Sequence, residues 1–432
     1  MQGRFNSIQK SMLQWNELHP YNVVHVVQIG EVLEVARLQD CVNETLGRHG
    51  LTCLRVNKQR FAFEYGGGPS ECEVQILACL AEPLNTLTLE IERQLNLEFP
   101  CNQPFCPFRF FVLPGEHGFF LGVAYFHAVA DAESMVRLLK DIVMIYAQHA
   151  PWHPGGPFDL YPVNRSNRLL AHQMVLARKL LSLPAQVRNM RQSNRPRHRD
   201  LEDMNNGFVC FSLGTEELSS LVATAKVWAV TLNDLFLGLL MKALSPCAVG
   251  REQERRRRKI SIGCIVNLRK DLDLDTPRVF GVFLGSFTVT HAIPTGMSLR
   301  EVCTDIRQQT SRIKRRKLYL GTPLELGLAR LFFRCFSPAR RKIFYPKHYP
   351  LWGGITNMNL NSIWNETDHT VALDYFRGVS TGPVTPLALS VTTVGSRVNF
   401  GVSYRTAVFL KEDIEKLERR FWEQIEQTRE AV

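Results

Sequence analysis

The strongest constraint on the fold comes from two apolar, strand-like segments that are separated by a short turn. A segment with helical spacing of apolar residues follows the second of them. Residues 108–113 (FRFFVL) and 119–125 (FFLGVAY) have the composition of buried strands, and the PGEHG segment between them is a strong turn signal. Residues 133–147 then carry apolar side chains at helical spacing, namely Val136, Leu139, Val143 and Tyr146. The sequence therefore predicts two strands joined by a tight turn, the second of which leads into a helix.

Strand-like and helical patterns alternate along the rest of the chain. Residues 21–29 (YNVVHVVQI) predict a strand, and residues 35–48 predict an amphipathic helix. Thr231 and Asp234 form a variant capping box at the start of an apolar helix over 235–244. Further strands are predicted at 259–266, 279–290, 371–376, 386–393 and 398–404, and a charged helix at 412–427. This interleaving predicts an α/β or α+β architecture.

Length and composition narrow the class of protein. The 432 residues favour two large lobes over one small domain, and 45% hydrophobic with 22% charged residues is typical of a globular protein. No apolar run approaches the roughly 18 residues of a membrane span. Eleven cysteines are scattered without a CxxC motif, which favours reduced thiols over disulfides or a zinc site. We therefore expect a cytoplasmic protein with no metal and no membrane partner.

Positive charge is concentrated in three segments. Residues 165–199 carry +9, residues 251–259 carry +4 and residues 307–317 carry +6, so a net charge of +11 leaves the remainder at about −8. Such segments attract phosphate groups, anionic membranes, nucleic acid or acidic proteins, or they are simply solvated surfaces. No nucleic-acid-binding motif accompanies them, which leaves nucleic-acid binding a minor alternative.

A histidine and an aspartate follow the predicted strand over 119–125. His127 lies at the end of that strand, and Asp131 comes four residues later, just before the predicted helix. A histidine placed in this way can act as a general base, because its ordinary pKa is close to neutral pH. The alternatives are that His127 is a core histidine and that Asp131 only caps the helix.

Further segments, in this order and spacing, resemble one known superfamily. They are 107–110 (PFRF), His127 with Asp131, 228–234 (WAVTLND), 266–269 (VNLR), 280–285 (FGVFLG) and 354–357 (GITN). Together they are similar to motifs of the condensation-domain and CoA-dependent acyltransferase superfamily, whose central motif is HHxxxDG. The resemblance implies two chloramphenicol-acetyltransferase-like lobes, each a mixed sheet with flanking helices, and an active site in the channel between them. The expected division is an N-terminal lobe at 1–165, a basic crossover segment at 166–204 and a C-terminal lobe at 205–432.

The resemblance also implies roles for individual residues. His127 would be the general base, and Asp131 would form a buried ion pair with Arg269 that supports the loop of His127. Thr356 and Asn357 would lie near the reaction centre, where Asn357 would stabilise an oxyanion or orient the acceptor. The alternative for Asn357 is a turn residue that satisfies its own backbone.

Two positions depart from the family motif, and both would line the substrate channel. The first histidine of HHxxxDG is Phe126 here, and its glycine is Ala132. The resemblance implies a free-standing, monomeric acyltransferase of secondary metabolism with no bound cofactor. It would move an acyl group from a pantetheine thioester, on a carrier protein or CoA, to an amine or hydroxyl acceptor. The alternative is an inactive homologue that docks carrier proteins.

Overall fold

The structure is a computed structural model that describes residues 1–66, 72–79, 82–148, 156–162, 173–274, 276–364 and 372–430. Its strands are β1 Gln2–Arg4, β2 Asn22–Ile29, β3 Leu54–Asn57, β4 Ala62–Tyr65, β5 Val74–Ile76, β6 Phe108–Gly115, β7 Gly118–Phe126, β8 Asp159–Leu160, β9 Asn206–Leu213, β10 Ile260–Asn267, β11 Val279–Phe280, β12 Leu284–His291, β13 Gly353–Asn359, β14 Ala372–Val379, β15 Leu387–Val394 and β16 Arg397–Arg405.

The α-helices, numbered over the described residues, are α1 Ser7–Asn16, α2 Val35–His49, α3 Pro83–Asn96, α4 Ala132–Gln148, α5 Gln173–Gln192, α6 Thr215–Val227, α7 Leu232–Leu244, α8 Leu299–Arg315, α9 Thr322–Arg334, α10 Pro338–His348 and α11 Lys411–Glu430. Short 3₁₀ turns lie at Ser245–Cys247, Lys270–Leu272 and Leu318–Gly321. Within the described residues, no single helix has the length and hydropathy of a membrane span. The consecutive segments Thr215–Val227 and Leu232–Cys247 pass that test only as a pair bent by 102°.

The first sheet has five strands in the order β14-β2-β7-β6-β5. The predicted pair of strands is the antiparallel hairpin β6–β7, which closes with Gly115 opposite Gly118. α4 follows β7 as predicted and packs beside α2, burying Val136, Leu139 and Val143. The alternation of side chains along β2 sends Val23 and Val27 to this helical core, while Val24 and Val26 face a smaller core under α3.

The second sheet has six strands in the order β12-β10-β13-β15-β16-β9, with parallel pairing in β10–β13 and β13–β15. Its main core lies under α6, α7, α8 and α11. α7 begins with the predicted capping box, in which the Thr231 side chain accepts from the Asp234 backbone and the Asp234 side chain accepts from the Thr231 backbone. The mixed α/β architecture with two mixed sheets and flanking helices is confirmed.

One predicted strand is divided in two. The sequence predicted a continuous strand over 279–290, but β11 ends at Phe280 and β12 begins at Leu284. Between them Gly281 has φ 153°, and its backbone bonds to Asp131 and Ser134 at the start of α4. The single-strand prediction was wrong because these backbone groups are committed to the loop after β7 instead of to a ladder.

Strand β14 ties the two sheets together. It comes from the last third of the chain but pairs antiparallel with β2 of the first sheet, placing Arg377 opposite His25. It also crosses β16, where a side-chain carbon on Gly401 would lie 1.9 Å from the carbonyl oxygen of Arg377. The division at residues 165 and 205 stays a prediction, and residues 166–172 of its middle segment lie outside the described residues.

Replacing Gly401 with alanine should destabilise the protein by at least about 1–3 kcal/mol, because the added methyl group overlaps the backbone of β14. Chemical denaturation measures this change. Gly263→Ala is the matched control, since a side-chain carbon there would come no closer than 3.5 Å to another atom. Equal stability of the two variants would show that the sheets can separate here without cost.

Candidate active site

His127 lies one residue beyond the end of β7, in a tight turn that leads to α4. The side chain is buried, with 7% exposure, and its ring packs against Tyr21 with centroids 5.1 Å apart. Its Nδ1 atom lies 3.2 Å from the carbonyl oxygen of Ala130. Because a carbonyl only accepts, Nδ1 carries the ring proton and the lone pair is on Nε2. No described residue hydrogen-bonds to Nε2, so this atom is the one available to a substrate proton.

The surroundings of His127 keep its ring neutral. Burial lowers the pKa of His127 to about 4, against the smaller raising effects of the Ala130 carbonyl and the charge of Asp131. The ordinary pKa of a histidine in an unfolded chain is about 6.5. Protonation therefore favours the unfolded state as the pH falls from the unfolded value to the folded one, and stability is lost over that interval. At neutral pH the imidazole is in the form that accepts a proton.

Asp131 lies in a buried ion pair with Arg269. Arg269 Nη1 donates to Asp131 Oδ2 at 2.8 Å and Nη2 donates to Oδ1 at 2.9 Å, and both side chains are 1% exposed. The backbone N–H groups of Ser134 and Phe283 donate to the same carboxylate, each at 3.0 Å. Burial acts to raise the pKa of Asp131, but the charge and hydrogen bonds of Arg269 outweigh it and hold that pKa below its usual value.

Asp131 also caps the N-terminus of α4. The Ser134 N–H bond is a helix-capping interaction at the start of α4, so Asp131 caps the helix and pairs with Arg269 at once. Ser134 Oγ accepts from Arg269 and from the Gly281 N–H. Both carboxylate oxygens of Asp131 are occupied by these donors, and among the described residues no hydrogen bond joins this carboxylate to His127. The expected support of the His127 loop by Asp131 stays a prediction.

The two departures from the motif occupy different surroundings. Phe126 is 1% exposed and packs against Phe99 and Phe105, with ring centroids about 6 Å away. Its side chain lies on the opposite face of β7 from Tyr125, as strand geometry requires. Ala132 is the first residue of α4 and is partly exposed. Their predicted roles as channel residues stay predictions.

Thr356 and Asn357 lie side by side on β13 but face opposite ways. Thr356 is half-buried and shares a face with Met358, which packs against the core of the first sheet. Asn357 is exposed and shares a face with Ile355, which belongs to the core of the second sheet. Among the described residues no hydrogen bond joins either side chain to His127. Their roles at the reaction centre stay predictions.

A buried polar cluster near His127 was missed by the sequence analysis. His25 Nδ1 lies 2.7 Å from the Tyr375 hydroxyl, and the Tyr125 hydroxyl lies 3.4 Å from His25 Nε2. Arg377 lies directly across the strand pair from His25. The available signal was a titratable residue within a strand pattern rich in β-branched and aromatic residues, at His25 in YNVVHVVQI and at Arg377 in LDYFRGV.

A surface cleft lies elsewhere. It has a volume of about 410 Å³ and opens between the end of α7 and the loop before α8, with Lys242, Arg251 and Met297 among its lining residues. None of the predicted site residues lines it, and the chemistry described above is therefore not located there. In the described part of the chain, no group of three or more His, Cys, Asp and Glu side chains is placed to hold a metal ion.

The comparisons with known proteins identify the family. The model of the condensation domain matches residues 4–326, which is more than half of the chain. The protein therefore belongs to the condensation-domain family, whose members are acyl-transfer and amide-forming enzymes. A search of curated protein sequences gave no significant match.

Solved structures share the fold at low sequence identity. The first condensation domain of the calcium-dependent antibiotic synthetase, in complex with a substrate analogue, has a TM-score of 0.74 at 14% identity, covering 99% of this chain and 96% of that one. The polyketide synthase associated protein 5 from Mycobacterium tuberculosis has a TM-score of 0.67 at 14% identity, covering 99% of both chains. The X-domain in its complex with OxyB from teicoplanin biosynthesis has a TM-score of 0.63 at 15% identity, covering 99% and 93%. The resemblance inferred from sequence is confirmed.

The pairing of Asp131 with Arg269 can be measured by a double-mutant cycle. Removing either charge leaves the other buried and unpaired, so Asp131→Ala and Arg269→Ala should each cost about 3–5 kcal/mol of unfolding free energy. The double mutant should cost much less than the sum. The exposed pair Arg429–Glu216, at 3.7 Å, is the control and should show little coupling. Additive losses at Asp131 and Arg269 would contradict this account.

Proposed function

We propose that this protein is a condensation-type acyltransferase that transfers an acyl group from a pantetheine thioester to an amine or hydroxyl acceptor. The observation that carries the proposal is the state of His127: a neutral ring whose Nδ1 faces the Ala130 carbonyl and whose Nε2 has no described protein partner. The turn that presents this ring is braced by the Asp131–Arg269 pair. Membership of the condensation-domain family supports the same reaction class.

The reaction needs one base and no covalent enzyme intermediate. Nε2 of His127 takes the proton from the acceptor as its nitrogen or oxygen attacks the thioester carbonyl. The tetrahedral oxyanion then collapses, the carbon–sulfur bond breaks, and the imidazolium returns the proton to the departing thiolate. The negative charge of Asp131 favours the transient imidazolium, since it acts to raise the pKa of His127. Asn357 is proposed to orient the acceptor or the oxyanion, as the family resemblance implies.

The donor in this proposal is supplied in trans, by a separate carrier protein or as a CoA thioester. Arg191 lies in the last turn of α5, and Arg195 and Arg197 follow the helix. All three are exposed in a segment with no acidic residue, and they offer a positively charged surface to an acidic carrier. The second candidate is an inactive homologue that only docks such carriers. It is favoured by Phe126, whose side chain is part of the aromatic core where the family motif has a histidine.

Replacing His127 with alanine separates these two candidates. If His127 is the base, His127→Ala should lower kcat by about 10²-fold or more while the fold persists, as general bases contribute rate factors of that size. Turnover of a thioester mimic with an amine acceptor, together with circular dichroism, provides the measurement. His117→Ala, in the exposed turn between β6 and β7, is the control and should keep full activity. A folded, fully active His127→Ala protein would rule out the base assignment.

The pH dependence should follow the lowered pKa of His127. The ring is neutral above its pKa of about 4, so with a hydroxyl acceptor, which does not titrate in this range, kcat/KM should stay flat from neutral pH down to about pH 5 and fall only near pH 4. An ordinary histidine would place that acidic decline near pH 6.5. Stopped-assay rates over this range, with the protein checked for folding at each pH, test the expectation. A decline centred near pH 6.5 would show that the ring is well solvated.

Charge reversal tests the donor. Arg191→Glu, Arg195→Glu and Arg197→Glu together should raise KM for a carrier-bound donor and leave kcat nearly unchanged, because exposed charges act mainly on the encounter. The effect should weaken as salt shortens electrostatic reach to about 8 Å at 0.15 M. A thioester mimic lacking the carrier should be used equally by both proteins. Reversal of the exposed Lys411, Lys416 and Arg419 on α11 controls for net charge. Equal losses with carrier-bound and mimic donors would exclude docking at this segment.

A further inference from the structure

The contact between the two sheets contains a buried guanidinium. Arg377 projects from β14 with 1% exposure. Its Nε donates to Thr392 Oγ1 at 2.7 Å, and its Nη2 donates to the carbonyl oxygens of Val391 at 2.6 Å and Thr356 at 3.4 Å. These bonds fix the side chain against β13 and β15 of the second sheet. All of these acceptors are neutral, so they orient the guanidinium without neutralising its charge.

The charge of Arg377 has no protein counter-ion in the described part of the chain. No carboxylate there lies within ion-pair distance of it, and Nη1 has no hydrogen-bond partner. Asp374, the acid on the same strand, is instead bound by Arg397 at 3.3 Å and by Asn399. Burial lowers the pKa of Arg377 to about 10, which still leaves it cationic at neutral pH. An unpaired buried charge costs several kcal/mol, and a bound anion would remove that cost.

A second unpartnered donor lies in the same layer. Ser390 on β15 is 1% exposed, and its hydroxyl has no partner among the described residues. It shares a face of β15 with Thr392, which binds Arg377, because alternate residues of a strand face the same way. Its neighbour across the ladder is Gly401, directly beneath the backbone of Arg377. The guanidinium Nη1 and the Ser390 hydroxyl are thus two buried donors without a protein partner on contacting strands, and a carboxylate with two oxygens is the group that would accept from both.

The distance between Arg377 and His127 determines which part of a bound substrate Arg377 would contact. Arg377 lies opposite His25, and His25 lies opposite Val123 on β7, four residues before His127. Strand spacing and rise place the Cα atoms of Arg377 and His127 about 16 Å apart. Burial lowers the pKa of His25, and the charges of both Arg377 and His127 add to this, as expected for a ring between them. The backbone of Arg377 is therefore well separated from that of His127 along the sheet.

We propose that Arg377 and Ser390 form a carboxylate-binding subsite, so that the substrate carries an anionic group several bonds away from the atom that reacts at His127. This carboxylate belongs either to the acyl group or to the acceptor. The inference rests on the proposed acyl transfer for the identity of the ligand, but carboxylate binding itself requires no turnover. It adds a substrate class to that proposal, namely acyl chains or acceptors that end in a carboxylate.

Calorimetric binding of paired probes tests the subsite. For the acyl source the probes are N-acetylcysteamine thioesters of octanedioic acid, with a free terminal carboxylate or a terminal amide. For the acceptor source they are ω-aminooctanoate and ω-aminooctanamide. In one of the two pairs, the carboxylate should bind the wild-type protein about tenfold or more tightly than the amide, since hydrogen bonds to charged groups have this strength. The pair that shows the preference identifies the source.

Variants locate the preference. Arg377→Gln should remove it, and Ser390→Ala should reduce it. Arg405→Gln is the matched control, because Arg405 is also buried and also has an unpartnered nitrogen, but it bonds to the Gly382 carbonyl away from Arg377. Arg405→Gln should keep the full preference. If Arg377→Gln does not fold, Arg377→Lys retains the charge and should keep part of the preference.

Two results would overturn the subsite, and neither depends on catalysis. The wild-type protein could bind carboxylate and amide probes equally in both pairs, or Arg377→Gln could keep the full preference. Repeating the titrations with His127→Ala separates this inference from the proposed reaction. If the protein prefers the carboxylate probe but its activity does not depend on His127, the proposed reaction is contradicted and the carboxylate subsite is supported. If the enzyme is active through His127 but binds both probes equally, the subsite is contradicted and the proposed reaction is supported.

Discussion

The pairing of Asp131 with Arg269 is the interaction on which the architecture of the site depends. It joins the turn after β7 to the segment between β10 and β12, and it does so with two parallel N–H to oxygen bonds in an environment almost without solvent. Taking both charges out of water is costly, and the geometry offsets that cost only because backbone N–H groups satisfy the remaining lone pairs. The break between β11 and β12 follows from the same requirement. The pair thus links the loop after β7 of the first sheet to the loop after β10 of the second sheet in one defined geometry.

The two buried arginines Arg269 and Arg377 have contrasting environments. Arg269 is neutralised by a carboxylate of the protein, whereas Arg377 is surrounded by carbonyl and hydroxyl oxygens. His25 and His127 are also buried, and burial lowers the pKa of both. The interior at the contact of the sheets thus disfavours additional positive charge and favours neutral imidazole. An anion that enters this region meets an excess of uncompensated positive potential.

Local signals in the sequence were sufficient for much of the fold. The hairpin β6–β7, the helix α4 after it and the capping box at Thr231 depend on neighbours within a few residues, and all three were predicted. The position of β14 beside β2 depends on residues nearly 350 positions apart, which no local pattern encodes. The division of the strand at Gly281 has the same origin, because its cause lies in Asp131 and Ser134. For the site, the family resemblance supplied Asp131 and Arg269 as a pair, whereas Arg377 and His25 became visible only when the strands were placed side by side.

The late arrival of β14 has a consequence for synthesis of the chain. The strand β2 that β14 covers is largely buried on both faces in the folded protein, and during translation its edge remains open until residue 379 has left the ribosome. At about 5–20 residues per second, the interval between the two strands is about 20–70 s. During that time the nascent first sheet presents unpaired backbone groups that can join another chain. The late position of β14 in the sequence therefore affects how long chaperones can bind the nascent N-terminal half. It also affects how the yield of recombinant protein depends on translation rate.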